Sequence, residues 1–350
     1  MRGLWLVLAL ALALCGCLSK PQVGAHQLWA GKEATGPALH YLGVGGWLLP
    51  WHGEGVLFAP SFTNPALAGI TGIPPIKVKS DPVKIQQMMP DARFVSMLLV
   101  GHAHYDHLLD VSDVMKKQTP NAQLYGSETV VNILQNSFRD EPQQLRRLHN
   151  ILPQIASAPD ISRPGDRGKW IYSDKGFIRA KPIRSMHAGH IFSVNLLLGI
   201  YTSPPDEPLD TVWDWRLGTP VAWLVDLLDE HKKPMYRIHY QDSAATPPWG
   251  FPPWEPDGKR IDVEILCAGS WHEVYRYPAA LLEFTQPRMV LIGHWENFFG
   301  NKHDDVRIIP GLDLKGMVDI VRRHVPPKTP VFTPLPFTKI PLPAPQARHL

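Results

Sequence analysis

The sequence predicts an α/β fold, and three observations carry that reading. Short apolar runs of strand length recur along the chain, and helix-like text separates several of them. Strand after strand in this series ends in histidine or aspartate. The chain has 350 residues, 44% of them hydrophobic, which is enough to bury the core of one large domain.

The elements follow in order. Two strand-like runs, ALHYLGVGGWLLPW and GEGVLFAPSF, are joined by a turn around His52-Gly53-Glu54-Gly55. ITGIPPIKVKSDPVKIQQMMP reads as a loop leading into a short helix. FVSMLLVG is a buried strand by its length and apolar continuity. Helix-like DHLLDVSDVMKKQ follows, then the strand AQLYG, then a helix from Ser127, which suits a capping position. In the second half GFIRAKPIRSMHAGH is a strand ending in histidines. FSVNLLLGIY and TPVAWLVDLL are expected strands on either side of a Pro- and Trp-rich insertion. PMYRIHYQDSA alternates as a sheet strand does and finishes at Asp242; IDVEILCAGS and RMVLIGHWENFF are buried strands flanking the helix-like YPAALLEFTQ. No solenoid repeat interrupts this series, so one continuous domain is expected over residues 33–350.

The formal net charge is +3, and no basic tract is interleaved with aromatics, which argues against a nucleic-acid partner. Proline is abundant at 36 residues, about twice its usual share of roughly 5%, and much of it falls in loops. The twelve tryptophans suit either a large core with loop anchors or an apolar rim around a substrate.

Residues 1–16 read as an export signal: Arg2, an apolar run from Leu4 to Leu14 too short for a permanent span, then small residues. Leu14-Cys15-Gly16-Cys17 resembles a bacterial lipobox. That resemblance implies cleavage before Cys17, acylation of its thiol, and a lipid-anchored linker over residues 17–32. With Leu18 next to the lipid cysteine, the expected location is the outer membrane, facing the periplasm. Cys267 is then the only other cysteine of the mature chain, so no intramolecular disulfide is available. Its apolar surroundings suit a buried small hydrophobe.

The segment LLVGHAHYDHLLD concentrates chemistry where a strand ends. In an extended stretch His102 and His104 point the same way, so both rings reach one ion. If the chain then turns into a helix, Asp106 and His107 come round to a second position. His187, Asp242 and His294 close later strands, and sheet sites assemble at such carboxyl ends. Imidazole and carboxylate suit zinc and similar ions.

The H-x-H-x-D-H motif after a buried strand resembles the signature of the metallo-β-lactamase superfamily of hydrolases. The likeness runs from about His40 to Phe299. It implies an αββα sandwich with two divalent metal ions, zinc foremost. By that resemblance His102, His104 and His187 bind the first ion, and Asp106, His107 and His294 bind the second. Asp242 would bridge the two, and Asp106 doubles as the candidate catalytic carboxylate. The wording around His187 and His294 looks most like the branch containing N-acyl-phosphatidylethanolamine phospholipase D and UlaG-like lactonases. Two departures stand out: Ala59-Pro60 occupies the place of the usual Asp-Pro, and Gln241-Asp242-Ser243-Ala244 that of Gly-Asp-Thr-Gly.

The expected activity is hydrolysis by a hydroxide held between two ions, on a phosphodiester substrate, a lipid-derived one included. Lactone or amide hydrolysis is the alternative, a non-catalytic envelope lipoprotein is a rival from another class, and a β-lactamase proper is a third reading. His190 competes with His187 as a ligand; His272 either faces the cleft or packs at the surface; His239 reads as a core histidine.

Overall fold

The computed structural model describes residues 28–29, 36–158, 165–189, 196–302 and 305–345. The expected signal, the anchor Cys17 and His190 lie outside them. Two large sheets form the frame. The first has seven strands in the order β15-β2-β3-β4-β5-β6-β7. These are β2 (Ala38–Gly43), β3 (Gly46–Trp51), β4 (Glu54–Phe58), β5 (Met97–Leu99), β6 (Gln123–Gly126), β7 (Leu148–Asn150) and β15 (Lys339–Pro341). The second has eight, in the order β1-β14-β13-β12-β11-β10-β9-β8. These are β1 (Leu28–Trp29), β8 (Ile171–Tyr172), β9 (Ile178–Arg184), β10 (Val221–Leu228), β11 (Pro234–Tyr240), β12 (Val263–Cys267), β13 (Met289–Gly293) and β14 (Val331–Pro334).

The period-two alternation of β3 shows why the sheets stack. Trp47, Leu49 and Trp51 enter the core between the sheets, where they meet Trp223, Val225, Ile238 and Tyr240 of the other sheet. Leu48 points the other way, into a second core with Val114, Ile133 and Leu134. Those residues lie on the helices α3 (Val111–Lys117) and α4 (Glu128–Ser137), which cover the outer face of the first sheet. A third core joins Leu266, Val290 and Ile292 to α6 (Ala279–Thr285) and α7 (Leu314–His324) on the outer face of the second sheet. The layers therefore run helix, sheet, sheet, helix, which is the expected αββα sandwich.

Over β9, β10 and β11 a loop takes the place of a helix. Ile183, Ala222 and Leu224 pack on Ile261, with Trp170 against them. The same face buries Asp226, which accepts from Arg237 Nε at 2.7 Å and from Arg179 Nε at 2.8 Å. Among the described residues no helix is long and apolar enough to cross a membrane.

Two expectations need correction. The run ALHYLGVGGWLLPW is itself a hairpin, β2 and β3, because Val44 adopts φ 52° and Gly43 φ 98° between them. FSVNLLLGIY is not a sheet strand where it is described. Leu217 N–H and Gly218 N–H donate to the carbonyls of Leu197 and Gly199, and Leu198 and Ile200 are exposed. Apolar continuity alone does not separate a buried strand from an apolar surface segment. Ser127 does stand at the N-cap of α4, yet its hydroxyl does not cap the helix.

Candidate metal centre

The motif begins just beyond β5. Residues 101–104 stay outside regular structure, and His104 takes extended angles as N-cap of the single-turn helix α2 (Tyr105–Leu108). His107 N–H closes that turn on the carbonyl of His104 at 3.0 Å. The change from extended to helical backbone sends the four side chains to two adjacent positions.

At the first position His102, His104 and His187 present nitrogens to one another, with His187 delivered by the segment after β9. Ring centroids are 4.8 Å apart for His102 and His104, and 4.7 Å from His187 to each. His187 Nδ1 is 2.6 Å from the Ala188 carbonyl. At the second position His107 Nε2 lies 3.2 Å from His294 Nε2, and Asp106 Oδ2 lies 3.5 Å and 3.3 Å from those two nitrogens. His294 follows β13 directly and holds φ 55°, a conformation that costs a non-glycine residue of order 1 kcal/mol or more.

Asp242 stands between the two groups. Its Oδ2 is 2.6 Å from His102 Nδ1, and its Oδ1 is 3.0 Å from His107 Nδ1. The Tyr240 hydroxyl also donates to Oδ1 and lies 2.9 Å from the carbonyl of Gly45. The carboxylate expected as a bridge between ions thus spans the rings of His102 and His107 on their Nδ1 sides. None of residues 241–244 needs positive φ, so the turn around Asp242 forms without the glycines it lacks.

The charge balance follows from burial and these contacts. Burial works against a charged His107, but Asp242 and Asp106 outweigh it and push its pKa up to about 9. Burial lowers the pKa of His102, with the charge on His107 adding to the effect. Burial also opposes the charges on Asp106 and Asp242, yet the adjacent histidines hold both carboxyls well below the usual range.

A pair of metal ions fits these residues. His102 Nε2 is buried with no hydrogen-bond partner, while Asp242 occupies the other face of that ring. A carboxylate on one ring nitrogen leaves the lone pair on the other, the arrangement found behind metal-bound histidine. The donors are imidazole nitrogens and carboxylate oxygens, and burial pushes the pKa of the Cys267 thiol up, away from ready ionisation.

Several residues that shape the centre escaped sequence reasoning. A Cβ on Gly45 would come within 2.6 Å of His107 Nδ1, and one on Gly101 within 2.3 Å of Asp242 Cβ. Both glycines were visible beside candidate strand ends, but nothing local marks them as contact points. Asp110 accepts from Phe62 N–H at 2.6 Å and Thr63 N–H at 2.7 Å, fixing the loop after Ala59-Pro60 to the motif. His239 is a core residue, paired with Glu264 at 2.6 Å on the neighbouring strand. His272 is half-exposed and lies 3.5 Å from Glu273.

No family model matches the chain, and no curated protein matches it. Solved structures do. Igni18, a metallo hydrolase from the archaeon Ignicoccus hospitalis, is 13% identical, over 87% of this chain and 97% of that one, with a TM-score of 0.47. The metallo-β-lactamase fold protein YhfI from Bacillus subtilis is 10% identical, over 87% and 99%, with a TM-score of 0.46. CmlA, a diiron β-hydroxylase from Streptomyces venezuelae, is 13% identical with a TM-score of 0.49; the match covers 87% of this chain and 54% of that one.

Proposed function

We propose that the chain is a metal-dependent hydrolase holding two divalent ions, zinc foremost. His102, His104 and His187 would ligate one, and Asp106, His107 and His294 the other. The observation that carries this reading is the convergence at strand ends of three histidines and, beside them, of Asp106 with His107 and His294, with the buried, unpartnered Nε2 of His102 among them. Two such ions lower the pKa of water toward neutrality and polarise the oxygen of a scissile group.

The protein's own residues do the rest. Asp242 holds His102 through its Nδ1 and lies 3.0 Å from His107 Nδ1, which leaves Nε2 as the donor each ring would offer inward. Asp106, held ionised by its histidine neighbours despite burial, serves as an anionic oxygen and orienter rather than a proton store.

For the substrate we favour a phosphodiester with an apolar portion. Leu198 and Ile200 of one segment are exposed at 58% and 54%. Leu198 lies between the carbonyls of Leu197 and Gly199 that bond Leu217 and Gly218; the Leu217 carbonyl in turn accepts from Ala103 N–H, between His102 and His104. This exposed apolar segment is therefore tied through Leu217 to the loop of His102 and His104, and we read it as part of an apolar rim. A lipid anchor at Cys17 in the outer membrane would set this rim beside amphipathic substrates.

The test combines metal analysis of the purified chain with a panel of phosphodiester, lactone and β-lactam substrates. About two equivalents of metal and phosphodiester turnover abolished by chelation are expected. Full turnover after chelation would sink the reading, and preferential lactone turnover would replace the substrate class.

A further inference from the structure

We propose that Glu296 is a positioning residue for the second metal position, acting on His294 through Tyr41 and on His107 through the β2–β3 turn. The proposal rests on the reading that Asp106, His107 and His294 hold an ion. Glu296 is buried two residues beyond His294, in a sandwich edge where a carboxylate has no solvent to face. Its two oxygens serve two different elements. Oε2 accepts from the Tyr41 hydroxyl at 2.6 Å, and Oε1 accepts from the Val44 N–H at 2.5 Å.

Each contact leads to a ligand. The Tyr41 oxygen, with its proton committed to Glu296, accepts the His294 N–H at 2.9 Å. His294 is the residue at φ 55°, so its backbone needs an outside hold, and Tyr41 supplies one from the opposite sheet. On the other side, Val44 precedes Gly45, whose missing side chain lets the turn lie against the His107 ring. The Gly45 carbonyl also lies 2.9 Å from the Tyr240 hydroxyl, whose proton goes to Asp242. One carboxylate thus sets the backbone of one ligand and the wall behind another. The contacts of Glu296 itself end at His294 and at the turn behind His107; the Tyr240–Asp242 branch that goes on to His102 is not bonded to Glu296, so the effect falls first on the second position.

The experiment titrates the metal-free, full-length chain with zinc against a competing chelator, and with cobalt(II) followed by absorption. Variants are Tyr41→Phe, Glu296→Ala and Glu296→Gln, each with the melting temperature of the metal-free form as a control on folding. Tyr41→Phe and Glu296→Ala are expected to weaken the second equivalent by roughly 10–100-fold and leave the first unchanged. The cobalt spectrum of the second equivalent should change with them. Glu296→Gln should retain most of the affinity, because its amide still accepts from Val44 N–H and donates to the Tyr41 oxygen. A wild type with two equivalents and variants whose second equivalent is unaltered overturns this proposal alone. So does an equal loss at both equivalents. A wild type that takes up no second equivalent overturns the two-ion reading and the proposal together.

Discussion

Asp242 Oδ2 lies 2.6 Å from His102 Nδ1, and both side chains are buried. This contact fixes the tautomer of a ring whose other nitrogen has no protein partner. Asp242→Asn keeps the shape and removes the charge that raises the basicity of His102 and His107. Metal affinity should fall by roughly 10–100-fold, measured by chelator competition. Affinity equal to wild type would show that the carboxylate does not act on the rings.

Gly101→Ala places a methyl group 2.3 Å from Asp242 Cβ and 2.4 Å from its Oδ2. Neither partner is the free end of a flexible chain, so the backbone must move. Stability should drop by about 1–3 kcal/mol in urea denaturation, and metal content should fall with it. A variant with full metal content and unchanged stability would contradict the close packing seen here.

Asp226→Ala tests the polar face of the second sheet. Asp226 is fully buried between the guanidinium groups of Arg179 and Arg237. Removing it leaves Arg179 and Arg237 to share the partly exposed Asp257, at a cost of up to about 3–5 kcal/mol. The measurement is the urea midpoint, and a change under 1 kcal/mol would mean that Asp257 and water replace the lost partner.

His40 supplies a pH dependence away from the metal ligands. Burial, with the charge of Lys339 second, lowers its pKa to about 4. A folded-state value below the unfolded one means that the unfolded chain binds the proton first. The stability it contributes is therefore full above about pH 6.5 and declines as pH falls toward 4. In His40→Gln, the acid loss of melting temperature between pH 7 and 4.5 should be smaller than in wild type. An identical acid profile would rule His40 out as a contributor.

Much of the centre was legible because its chemistry is local. His102, His104, Asp106 and His107 lie within six residues, and the switch from extended to helical backbone is short-range geometry. His187, Asp242 and His294 were found because α/β chains gather polar groups where strands end, and the boundaries of β9, β11 and β13 fall just before them. The expected strand FSVNLLLGIY failed for the opposite reason. Its apolar residues mark a surface segment tied to Leu217 and Gly218, and hydropathy does not record what a residue faces.

The sequence by itself determined the α/β class, the strand ends that carry the candidate ligands and the residue types that suit a metal. Those properties depend on neighbours a few positions away. Only the tertiary structure decided that Asp242 reaches the Nδ1 atoms of two histidines, that Gly45 makes room for His107, and that Glu296 holds Tyr41 and Val44. Glu296 and Tyr41 are 255 residues apart; Tyr41 lies on β2 of the first sheet, and Glu296 follows β13 of the second. Their contact exists only because the sandwich closes and leaves a buried carboxylate that must find its donors inside the protein.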